Sequence, residues 1–318
     1  MANQVFHYSN TGISSGQRFY LKDEVSGLYL NNLNIISDSS IDVGIQGLNG
    51  SSLTRRDFVS NMLLFNGLTI PDQDAAAYIA SVINTGATVT SGQKSAIDTF
   101  VKAEKAASRW NGIKRLYFPV WGLAAANAIC MKSLTSCTFN GAFTHASGYI
   151  QGGINKYISL GTTLAGLGLS DNSHYFAGLF KTAPSDNFKS ILNSDLFIGY
   201  GEESLRVVIG GSSCVDDNSF APSDVFGVIS YGGQTTLASR YGKVRKASGT
   251  TSVAVQGGTI TQSFGSSSIT LLGTVSSSYW DGQCGALVLG AYMSAADDLL
   301  FTAALETLWE TTTSLTLP

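Results

Sequence analysis

From residue 117 to residue 293 the sequence breaks into short runs of apolar and β-branched residues, divided by clusters of Gly, Ser, Asn and Asp. Residues 196–200, 205–209, 225–231, 252–256, 268–272 and 285–290 are such runs, each five to seven residues long. Runs of this length suit strands, and the polar clusters between them suit tight turns. Many alternate apolar with polar, as a sheet with one buried face requires. The rhythm predicts an antiparallel β-sandwich or barrel. No stretch repeats another, which argues against solenoids and propellers. At 318 residues and 44% hydrophobic the chain can bury a sizeable core, and its length suits more than one domain.

The flanks read differently. Residues 1–71 form a small β-rich segment, with strands expected at 17–21, 27–30 and 33–43, and Pro71 closes it. Residues 58–65 fit either a strand or a buried helix. A helical pair is expected over 72–112. Asp72 is its N-cap, Ala76, Ile79, Val82 and Ile83 recur at helical spacing, and Gly86 marks the stop. The second helix opens on the capping-box pattern Thr90-Ser91-Gly92-Gln93, carries Ile97, Phe100, Val101, Glu104 and Ala107 as a stripe, and should end at Asn111-Gly112. A last helix follows the cap Ser294–Asp297, with Leu300, Phe301, Ala304, Leu305 and Leu308 as its apolar face. Thr311–Thr313 should fray it, leaving the tail extended after Glu310.

Charged residues are only 13% of the chain, against about 25% in a typical soluble domain. A surface so poor in charge suits contact with neighbouring subunits or with carbohydrate. The net charge is −3, and the one dense basic stretch, residues 240–246, reads as the solvated face of a hairpin rather than a nucleic-acid site. The longest apolar run, Trp121 to Met131, is far shorter than the ~18 residues of a membrane span. The N-terminus lacks the basic start and apolar stretch of a secretion signal, so maturation in a cytoplasm is expected. Cys130, Cys137, Cys214 and Cys284 form no C-x-x-C pair, and free, mostly buried thiols are expected.

Three segments share a further likeness. Trp110-Asn111-Gly112-Ile113-Lys114 runs into Leu116–Gly122; Phe143-Thr144-His145 precedes Gly148 and Asn155-Lys156-Tyr157; Gln283-Cys284 leads through Gly290 into the last helix. In order and spacing, over roughly residues 75–312, these resemble a group of phage and prophage structural proteins of tail or fibre type. The resemblance implies a concanavalin/laminin-G-like jelly roll over 113–318, preceded by the helical lead-in, and a setting in a virion. It supplies no catalytic residue. Residues 1–70 fall outside it and are expected to anchor the chain to a particle. The sequence departs from the group after Trp121, where Leu123–Ala128 and Cys130-Met131-Lys132 replace an ending in His and Trp.

Chemistry is sparse. Glycoside hydrolysis needs two carboxyls facing each other roughly 5–9 Å apart. The acidic pairs Glu202-Glu203, Asp216-Asp217 and Asp297-Asp298 are neighbours in sequence, and on a strand neighbours point to opposite faces. The first suits a hairpin turn and the last a helix start. His7, His145 and His174 are too scattered for a metal cluster, His145 is expected to bond backbone in a turn, and no G-x-S-x-G elbow occurs. Asp216 and Asp217, with Asn218, and the Asp171-Asn172 pair are candidate calcium ligands, though ordinary loops account for them as well. Tyr279-Trp280-Asp281 is the candidate glycan site, against the alternative of a tryptophan plugging the sandwich edge. The expectation is therefore a non-enzymatic virion surface protein: a head fibre, decoration protein or tail-associated fibre component. It would be made in the host cytoplasm, bind other virion proteins through residues 1–71, and self-associate as a dimer or trimer. A receptor-binding adhesin for host surface glycans is the alternative, and a depolymerase the weakest of the three.

Overall fold

The computed structural model describes residues 18–22, 29–37, 40–42, 45–46, 52–53, 71–185, 189–201, 204–209, 212–217, 225–234, 236–255, 264–274 and 279–317. The chain divides into two compact units, Met1–Pro71 and Asp72–Pro318. In the first, β1 (Arg18–Lys22), β2 (Tyr29–Ser37) and β3 (Ser40–Asp42) form an antiparallel sheet, and β4 (Ile45–Gln46) pairs with β5 (Ser52–Leu53). The stretch 58–65 lies outside the described residues.

The second unit opens with helices α1 (Gln73–Asn84) and α2 (Ser91–Ala106) and strand β6 (Ile113–Tyr117), followed by a single turn, α3 (Ala124–Asn127). The strands that follow divide between two sheets. One holds β7 (Thr138–Asn140), β10 (Tyr157–Thr163), β12 (Lys189–Asn193), β13 (Leu196–Gly201), β14 (Ser204–Ile209), β15 (Ser212–Asp217) and β19 (Ser268–Leu271), in the order β15-β14-β13-β12-β19-β10-β7. The other holds β8 (Thr144–Ala146), β9 (Tyr149–Gln151), β11 (His174–Phe180), β16 (Gly227–Gly233), β17 (Tyr241–Lys246), β18 (Gly249–Val253) and β20 (Gln283–Gly290), in the order β18-β17-β16-β11-β20-β9-β8. β6 lies beside the second half of β20. The pairings are antiparallel throughout, and the two sheets form a sandwich. Helix α4 (Ala295–Thr313) closes the chain.

Two cores explain the layering. Between the sheets, Ile158, Leu160, Ile198, Tyr200, Leu205 and Val207 meet Phe176, Phe180, Ile229, Tyr231, Val244, Leu287 and Leu289. On the far face of the second sheet, Tyr175, Ala177, Leu179, Val228, Ala286 and Val288 meet Tyr78, Ile97, Phe100, Phe301, Leu305 and Trp309 of the helices. The molecule's second unit is thus three layers: sheet, sheet and helices. Strands β11 and β16 are buried at all seven positions because each is covered on both sides. β10, covered on one side, buries Ile158 and Leu160 alternately.

The caps follow the sequence closely at helix starts. Asp72 accepts from Asp74 N, and Thr90 and Gln93 make both halves of the capping box. The ends differ. α2 stops at Ala106, not at Asn111-Gly112, because Ser108 turns left-handed and the Glu104 carbonyl takes the N–H groups of Arg109 and Trp110. α4 continues through Thr313 instead of fraying. Thr313 Oγ1 donates to Trp309 O, and Gln93 Nε2 donates to Thr312 O at 2.9 Å, so α2 holds the last turn. Its buried stripe is Phe301, Leu305, Leu308, Trp309 and Thr312, while Leu300 is 60% exposed and not part of the face.

The basic stretch 240–246 is not a solvated face. On β17 every second side chain turns toward α4. Tyr241 OH donates to Met293 O at 2.8 Å, Lys243 Nζ stands 3.2 Å from Asp298 Oδ2 and donates to Ala295 O, and Arg245 pairs with Glu306. Asp298 is fully buried and also accepts from Tyr175 OH (2.9 Å) and Ser230 Oγ (3.1 Å). Burial pushes its carboxyl above the ordinary value, while Tyr175, Lys243 and Ser230 pull the other way. Asp297 has the role expected at a helix start, its carboxylate bonded to Ser294 Oγ.

Candidate functional site

The loop after β19 carries the residues 279–281. Leu272 and Gly273 leave the strand, Gly273 bridges Tyr279, and Trp280 N donates back to Leu272 O at 3.0 Å. This fold-back drives the Trp280 ring into the end of the inter-sheet core, where its centroid lies 4.6 Å from that of Phe180. Trp280 is fully buried, and a Cβ at Gly282 would come within 2.7 Å of its Nε1. The ring is a plug for the sandwich end and offers no face to a sugar.

Tyr279 and Asp281 are half-buried and gather partners from distant parts of the chain. Lys189, at the first position of β12, shares its register row with Tyr200 and Leu205 and is 1% exposed. Its ammonium sits 3.7 Å from the centre of the Tyr279 ring and 3.9 Å from Asp281 Oδ2. Asp281 Oδ1 accepts from Ser185 N at 3.0 Å, Oδ2 takes the Ser185 hydroxyl, and the Asp281 carbonyl accepts from Gln151 Nε2 at 2.9 Å. The cluster therefore combines a half-buried tyrosine ring, a carboxylate and a hydroxyl, held to one another by these contacts. Ser185, Lys189 and Gln151 carry no local sequence signal toward this role, since the contacts of Ser185 and Gln151 span 96 and 130 residues.

Asp216 and Asp217 lie on strand β15, paired with Arg206 and Leu205, and not in a loop. Their side chains, and residue 218, are outside the described residues. Asp171 and Asn172 sit at the tip of a turn closed by Ser170 and Ser173. Among the described residues no group of three or more His, Cys, Asp or Glu is arranged to hold a metal. Glu202 and Glu203 fall outside the described residues.

His145 bonds a side chain rather than backbone: its Nδ1 is 3.1 Å from Asn127 Nδ2, with the Phe139 ring 4.7 Å away, and burial lowers its pKa. Asn127 is fixed in turn by accepting from Trp121 N. Cys130, Cys137 and Cys284 are free and buried, and burial pushes the Cys137 thiol up to about 12, which suppresses the reactive thiolate. The Cys214 side chain is outside the described residues.

No protein-family model matches the chain, and no curated protein sequence does. Solved structures give distant likenesses. Trypanosoma rangeli sialidase aligns at 8% identity over 68% of this chain and 38% of its own, with a TM-score of 0.40. Domain 4 of AbnA, a GH43 extracellular arabinanase from Geobacillus stearothermophilus in complex with arabinotriose, aligns at 10% identity over 61% of this chain and 98% of its own (TM-score 0.35). The VIP36 exoplasmic/lumenal domain in its Ca2+/Man2-bound form aligns at 8% identity over 59% and 94% (TM-score 0.35). At TM-scores of this size none of them transfers a residue role to this chain.

Proposed function

We propose that the chain is a non-catalytic structural protein on the surface of a phage particle, as a head fibre, decoration protein or tail-associated fibre component. Residues 1–71 anchor it to other virion proteins, the sandwich is displayed, and the chain self-associates as a dimer or trimer. One observation carries this reading. The three segments that resemble phage structural proteins lie far apart in sequence yet meet around β20. Its residues Leu287–Gly290 pair with β6, Gln283 and Cys284 pair with β9, and Trp309 of α4 donates to Gly148 O at 2.8 Å. A shared pattern at positions that form one packed patch is what a common fold unit leaves in a sequence. The test is mass spectrometry and antibody labelling of particles purified from lysed host. Particles that lack the chain sink the reading.

The second reading, an adhesin for host surface glycans, rests on the half-buried pair Tyr279 and Asp281 beside Lys189. Binding to a glycan array that is lost in both Tyr279→Ala and Asp281→Ala supports it; a blank array removes it. Release of reducing ends from host capsule would overturn the non-catalytic assignment.

A further inference from the structure

His174 opens β11, the strand at the centre of the second sheet, and is fully buried. Its Nδ1 lies 2.9 Å from the Ser170 carbonyl, which also accepts Ser173 N at 3.0 Å. A carbonyl only accepts, so Nδ1 carries the proton and Nε2 the lone pair. Nε2 is buried and makes no hydrogen bond. It abuts the backbone of Gly233, the register partner of His174 on β16, where even a Cβ would collide with it. The rest of the enclosure is aromatic, with ring centroids of Tyr231 at 5.6 Å and Phe264 at 5.3 Å. Two charged groups face the ring: Arg240, which is 5% exposed and donates through Nε to Gln234 O, and Asp171 on the turn.

A second proton on this ring would create an N–H aimed at a Cα, with no acceptor, and a positive charge beside a buried guanidinium. The Ser170 carbonyl and the Asp171 carboxylate, on a half-exposed turn, act the other way, and burial of the ring outweighs both. The closed corner therefore accommodates only neutral imidazole. We propose that His174 is an acid-released pin: protonation frees the corner formed by the Ser170–Ser173 turn, the start of β11 and the end of β16, while the rest of the sandwich stays folded. This device does not depend on the display reading.

The sign follows from the buried ring. Burial lowers the closed-state pKa from 6.5 to about 4, so the open corner binds the proton more readily and opening grows as pH falls through that interval. Between pH 7 and about pH 4.5 the two values imply a rise of roughly fifty-fold in the opening equilibrium.

Hydrogen exchange on the full chain, corrected for the intrinsic pH dependence, reads this directly. Amides of residues 170–176 and 231–233 should gain tens-fold in relative exchange on acidification, with α2 amides unchanged, and His174→Gln should abolish the gain. An unchanged corner, a rise shared equally by α2, or the same rise in His174→Gln overturns the proposal. Should His174→Gln not fold, the imidazole titration of the unaltered protein by NMR decides: a ring titrating near its ordinary 6.5 overturns it, and one still neutral near pH 5 supports it.

Discussion

Asp298 shows how much can rest on one side chain. Its carboxylate joins α4 to three strands through Tyr175, Ser230 and Lys243, all away from water. Truncating one member of a buried ion pair strands the other charge, which costs about 3–5 kcal/mol, whereas replacing both by apolar groups is often neutral. Asp298→Ala should therefore be severely destabilised in urea unfolding. Adding Lys243→Met should restore a good part of the loss, with a coupling energy above about 1 kcal/mol in the double-mutant cycle. Strict additivity would mean the ion pair is not what holds the helix start. The sequence reveals an acidic residue at a helix N-terminus, but not its burial, because the partners Tyr175 and Ser230 are 123 and 68 residues away. The same limit hides the role of Lys243 and Arg245. Alternating cations look alike whether they face water or the carboxylates of a packed helix. Trp280 is a related case: an aromatic in a polar loop fits either a glycan face or a plug for the sandwich edge, and the fold-back to Leu272 makes it the plug.

At the level of the element, helix starts are legible because a cap is local chemistry. Thr90→Ala removes one half of the capping box and should cost about 1 kcal/mol in thermal or urea unfolding. No loss beyond about 0.3 kcal/mol would mean that packing alone sets the start of α2. Helix faces are less legible when a helix is apolar nearly all round, as α4 is. Leu300 and Leu305 are indistinguishable by type, yet one is 60% exposed and the other fully buried against the second sheet. Leu305→Ala should cost about 2–5 kcal/mol as a core truncation. Leu300→Ala should fall within about 0.5 kcal/mol of the parent. Equal losses at the two positions would place the helix in a different rotation about its axis. The end of α4 lies beyond the one its sequence predicts, for a physical reason. Threonines lower helix propensity, but Thr313 satisfies its hydroxyl on Trp309 O, and Gln93 of α2 caps the Thr312 carbonyl from outside.

Across the whole molecule, the sandwich itself was legible from the spacing of short strands, whereas its third layer was visible only indirectly. A strand such as residues 174–180, apolar on both alternate sets, announces cover on both faces without saying what supplies it. Among the described residues, both hydrophobic clusters draw their members from residues 75–317, within the second compact unit. A chain of residues 72–318 retains the described members of both cores and should unfold as one cooperative transition, with sigmoidal and coincident circular-dichroism and fluorescence curves. Its refolding should be slow. β20 must find β6, β9 and β11, whose residues begin at 113, 149 and 174, so contacts of long sequence separation have to form before the layers close. Topologies of that kind refold in milliseconds to seconds or slower, against microseconds to milliseconds for helical bundles. Stopped-flow refolding measures the rate, and a fragment that melts without cooperativity would show that residues 1–71 are needed to complete the fold.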